Sequence, residues 1–164
     1  MPEAFQIPPG QLDLLLNLLI ATVCGGLVGL NRELHNRPAG LRTHALTSLA
    51  AALAVGVILQ LHPTSPDAAS RVVQGVLTGI GFIGAGVIVH HEHRYRVEGL
   101  TTAATIWVSS MIGIACGSGH ALTAAFGVVL TLVVLSLGSW LEHHIDARFR
   151  KPPPTLTDDD DPLK

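Results

Sequence analysis

Charge is scarce in this chain. Only 13% of its 164 residues are Asp, Glu, Lys or Arg, about half the roughly 25% usual in soluble domains. No carboxylate falls at mid-depth of any long apolar run, since Asp13 stands at an edge and Asp67 in a turn. That argues against a divalent cation held by buried carboxylates, although a hydrated ion could still pass along hydroxyls and carbonyls. Aromatic residues are fewer still, at 4%. No stretch interleaves them with basic residues, so nucleic acid is not an expected partner. The two cysteines, Cys24 and Cys116, lie inside apolar runs and read as buried free thiols rather than a disulfide framework. No Lys or Arg precedes the first apolar run, so the positive leader of a secretory signal is missing and the first helix is expected to stay as an anchor. No Ser/His/Asp set, buried carboxylate pair or phosphate-cradling Walker loop occurs. The expectation is a protein that is not an enzyme and needs no cofactor.

Apolar side chains are present in excess. They make up 48% of the residues, more than a soluble chain this small can hide, so lipid is the expected solvent for most of it. A hydrocarbon core about 30 Å thick takes roughly 20 helical residues to cross. Five runs approach or meet that length, at about 12–30, 41–61, 72–89, 100–116 and 121–141. Pro38-Ala39-Gly40 interrupts the first two, and His62 to Asp67 reads as a turn before the third. The fold class expected is all-α: a polytopic membrane protein with a transmembrane domain over 1–141. The charged remainder, 142–164, is expected to be a short helical extension and then disordered. Five spans place the termini on opposite sides. Nine of the ten Lys and Arg residues fall on one of those sides and only Arg71 on the other. The positive-inside rule then puts the N-terminus outside and the C-terminus in the cytoplasm.

Gly79 to Gly84 matches GxGxxG, but a dinucleotide fingerprint must link a strand to a helix, and this one lies inside an apolar run. Glycine here reads instead as a helix-packing residue. Gly25/Gly29, Gly75/Gly79 and Gly113/Gly117 have GxxxG spacing, with Gly81, Gly84 and Gly86 adding to the third run. Such contacts form either within one chain or between copies in a homo-oligomer. His90, His91 and His93 cluster around Glu92 and are weak metal candidates, outweighed by a solvated loop. Hydroxyls and one histidine inside the spans (His44, Thr47, Ser48, Thr105, Ser109 and Ser110) read mainly as interhelical packing.

The densest polar stretch is Gly25 to Ser48, GGLVGLNRELHNRPAGLRTHALTS. Arg32, Glu33, Arg37, Arg42 and Thr43 lie here, between two membrane-length runs. The third loop delivers Glu98, Thr101 and Thr102 to the same side. Together these residues are the expected functional site: an ion-paired plate, or a surface for phosphate, a lipid headgroup or a partner protein. Simple topology-setting charge explains the arginines almost as well.

Three segments in order, Gly26 to Leu46, Gln74 to Val89 and Val97 to Gly117, resemble the MgtC/SapB family of bacterial inner-membrane proteins. The family signature falls on Arg32, Arg37, Gly40, Leu41, Arg42, Thr43, Gly81, Gly84, Gly86, Gly99, Leu100, Thr102 and Ala103. The resemblance implies a multi-helix domain in the bacterial inner membrane, linked to magnesium homeostasis or growth in low magnesium. It implies a regulator of membrane partners, the ATP synthase among them, with a magnesium transporter or channel as the alternative. Virulence-type members continue into a soluble domain, and this chain is expected to be a short form without it.

Overall fold

The computed structural model describes residues 10–91 and 96–149. Five helices follow one another: α1 Gln11–Leu34, α2 Leu41–Leu61, α3 Pro66–Gly86, α4 Leu100–Gly117 and α5 Ala121–Phe149. All five contain a stretch long and apolar enough to cross a membrane. Their outward faces confirm the solvent. Leu122 is 89% exposed and Phe82 85%, surfaces that water would penalise and lipid does not. The chain is a multi-pass membrane protein.

Helix ends depart from the hydropathy reading because capping, not apolarity, sets them. The first helix does not stop at Leu30; it runs to Leu34 and so takes Asn31, Arg32 and Glu33 out of the expected loop. Its stop signal is Asn36, at φ 53°. There the Asn36 N–H bonds the Glu33 carbonyl at 3.0 Å and the Arg37 N–H bonds Arg32 at 3.1 Å, the paired closure of a helix ended by a left-handed residue. The third helix starts at Pro66, not near Val72, because Ser65 caps it and Pro66 suits its first position. It ends at Gly86, and the expected loop beyond holds an antiparallel pair, β1 Val89–His91 with β2 Arg96–Glu98, in the register His90 to Val97. The last helix continues past Leu141 to Phe149.

Among the described residues up to Leu132, which form one unit, α2 is the central element, with α1 and α4 against it. Ala21, Cys24 and Val28 of α1 pack with Ala52, with Ile112 and Cys116 of α4, and with Ala124 and Val128 of α5. Ile80 of α3 joins Ala39 and Ile106, and Val55 meets Ile114. Two GxxxG motifs make the close approaches. A Cβ on Gly25 would stand 2.5 Å from the His44 carbonyl oxygen, and one on Gly113 would strike the Ser48 carbonyl. Gly29 and Gly117 lie just as near the α2 backbone at Leu41 and Ala52. The Gly75/Gly79 motif of α3 meets nothing within 4 Å, nor do Gly81 and Gly86, while Gly84 makes an ordinary contact with Ala103. Residues 133–149, in the second unit, continue α5.

Candidate functional site

The C-terminal end of α1, the start of α2 and the start of α4 converge at one end of the bundle. Arg32 and Glu33, adjacent on the last turn of α1, are sent to different neighbours. Arg32 is buried and its Nη2 donates to Thr102 Oγ1 at 3.2 Å. Glu33 reaches across the connection, and its Oε2 accepts the Leu41 N–H at 2.8 Å. A carboxylate on this amide satisfies one orphan donor of α2 and lies at the positive pole of the helix. A Cβ on Gly40 would sit 2.7 Å from the same Glu33 oxygen, so a side chain there would push the carboxylate aside. Among the described residues Glu33 serves the α2 backbone, where the sequence had suggested a pair with an arginine.

Around this capped end lies an open cleft of about 480 Å³ lined by Glu33, Arg37, Pro38, Gly40, Leu41, Arg42 and Thr43. Arg37 and Arg42 are exposed and Thr43 is half-buried. The cleft so gathers four of the expected site residues and gives them two cations and one carboxylate. Arg32 and Thr102 form a second, buried group one helix away. Thr101 is exposed on the first turn of α4, and Glu98 is exposed just ahead of it. Gly99 links the hairpin to α4 at φ 91°, with the Val87 carbonyl against the position a Cβ would take. Only glycine meets both conditions.

Below Arg32 the polar contacts continue inward. Thr105 Oγ1 donates to the Thr102 carbonyl at 2.9 Å. The same hydroxyl lies 3.1 Å from His44 Nε2, while His44 Nδ1 sits 2.9 Å from the Gly40 carbonyl. That carbonyl can only accept, so Nδ1 carries a proton. Ser48 Oγ donates to the Ala21 carbonyl at 2.7 Å. Deeper still, the hydroxyls of Ser109 and Ser110 are fully buried without a partner. Sequence reading singled these residues out as intraspan polar groups but did not join them to the arginine site. The signal was there in the spacing: Thr102, Thr105 and Ser109 stand at i, i+3 and i+7, and His44 and Ser48 at i and i+4, so each set shares one helix face.

The histidine cluster falls elsewhere. His90 and His91 lie on β1, and His93 is outside the described residues. Among the described residues no three His, Cys, Asp or Glu side chains come together in a way that could hold a metal ion.

Comparison with known proteins places these features in a family. Residues 18–144 match the MgtC family. SrpB of Synechococcus elongatus is 43% identical over 141 residues, covering 79% of this chain and 78% of SrpB. MgtC of Salmonella typhimurium is 43% identical over 118 residues, which is 72% of this chain but 49% of that protein, so the match spans about half of its length. YhiD of Escherichia coli is 38% identical over 132 residues, 76% of this chain and 60% of YhiD. No solved structure matches the chain.

Proposed function

Because the chain belongs to the MgtC family, we propose that it acts in magnesium homeostasis in a bacterial inner membrane, as a regulator that docks a membrane protein partner. The observation that carries this reading is the cleft at the capped end of α2. Arg37 and Arg42 stand exposed there on a frame held by Glu33 and Pro38, while the helices below are packed backbone to backbone at Gly113 and Gly117. An exposed cationic surface over tightly packed helices suits recognition better than passage. The positive-inside rule puts this surface in the cytoplasm. By family resemblance the ATP synthase is the first partner to test.

A second reading, a transporter of divalent cations, is favoured by the name of one relative, "Putative magnesium transporter YhiD". Two experiments separate them. In a deletion strain grown at millimolar and then micromolar magnesium, the regulator reading expects a growth and ATP defect confined to low magnesium. The intact gene should rescue it and Arg42→Ala should not, although the variant inserts normally. Full rescue by inserted Arg42→Ala would sink the docking site. Magnesium flux into liposomes holding only this protein would establish the transporter instead.

A further inference from the structure

Arg32 is a cation held inside the protein, and among the described residues it has no counterion. The residue is 6% exposed, Nη2 has the Thr102 hydroxyl, and Nε is buried with no partner. Glu33, the nearest carboxylate in sequence, is taken up by α2, and Glu98 is engaged in an interaction of its own. The guanidinium stays protonated at any physiological pH. Nε and Nη2 are its side-on fork, the edge that meets two oxygens of a phosphate or carboxylate at once.

Nη2 of that fork touches Thr102, in the first turn of α4. The first bond inside this helix is from the Ala103 N–H to the Gly99 carbonyl at 2.8 Å. The N–H groups of Leu100, Thr101 and Thr102 thus have no acceptor in their own helix, and no side chain caps them. An 18-residue helix also directs its positive pole here. Thr101 and Leu100 are exposed, Leu100 at 59%, so the turn opens outward beside apolar surface. Three amides and a guanidinium fork offer more donors than the two oxygens of a carboxylate can meet. A tetrahedral phosphate can meet them.

We propose that Arg32 and the N-terminal turn of α4 form a binding site for one phosphate group, carried by an anionic phospholipid headgroup or present as free inorganic phosphate. The site is separate from the cleft at α2 and does not depend on a docked partner.

The test uses the full chain, delipidated in a phosphate-free detergent. Dioleoylphosphatidylglycerol is titrated and bound lipid counted by native mass spectrometry; inorganic phosphate is titrated separately by calorimetry. One phosphatidylglycerol per chain with no phosphate binding assigns the lipid, and phosphate binding that competes with the lipid assigns the free ion. Arg32→Gln should weaken binding at least tenfold. Thr101→Asp should do the same while keeping the fold, since an acidic residue in the first turn favours the helix and fills its pole with a fixed negative charge. Arg71→Gln, at the other end of the bundle, should bind as the parent does. Absence of binding by the parent chain, undiminished binding by Thr101→Asp, or an equal loss in Arg71→Gln overturns the site.

Discussion

Two glycines with the same motif spacing should respond in opposite ways to one methyl group. In Gly113→Ala the added carbon strikes the carbonyl, carbonyl carbon and Cα of Ser48, which are backbone and cannot turn aside. Alanine brings a helix-propensity gain of about 1 kcal/mol, and overpacking against a rigid neighbour costs about 1–3 kcal/mol. Relief requires α4 to move away from α2. That stretches the His44–Thr105 contact, already 3.1 Å, and leaving a buried ring nitrogen unsatisfied costs about 1–3 kcal/mol more. The expected net loss is about 3 kcal/mol. For a chain of this size that lowers the melting temperature by about 6–12 °C. In Gly79→Ala nothing lies within 4 Å, so only the propensity gain remains and the melting temperature should hold or rise. Thermal melts of both variants in one detergent, followed by circular dichroism, decide the matter. Equal melting temperatures for Gly113→Ala and the parent chain would refute the packed seam.

Other consequences follow from the same geometry. Glu33→Ala removes the carboxylate from the Leu41 amide and should cost about 1 kcal/mol, the scale of a lost helix cap. A Glu33→Ala chain that melts with the parent would show the cap to be idle. Ser109→Ala and Ser110→Ala each delete a buried hydroxyl without a partner, and should leave stability unchanged or raise it by up to about 1 kcal/mol. A clear loss of stability in either variant would mean that the hydroxyl is bonded after all. In the low-magnesium complementation assay, Arg42→Ala should insert and fail to rescue growth.

The five spans were legible because crossing lipid demands length and apolarity, and both can be read residue by residue. Ends were less so. Asn31 opens a polar stretch and looks like the start of a loop, yet nothing there stops a helix, and α1 runs on until Asn36 adopts the left-handed conformation. Ser65-Pro66-Asp67 looked like a turn and is a helix start, with each residue in a role typical of a first turn. The sequence marks the arginine-rich end as the candidate site, but its internal division is hidden there. Arg32 and Arg37 are five residues apart, and one is buried while the other is exposed. What separates them is contact with Thr102, 70 positions away. Local pattern carries no information about a partner that distant.

The polar network also sets an order of assembly in time. His44 meets Thr105 across 61 residues of chain, about 3–12 s of synthesis at ordinary elongation rates. During that interval the α1–α2 hairpin exists with a histidine whose second nitrogen lacks its hydrogen-bond partner. His44 lies one turn inside α2, bonded back to Gly40. The polar contacts at this end are therefore completed only by α4, the fourth helix to arrive.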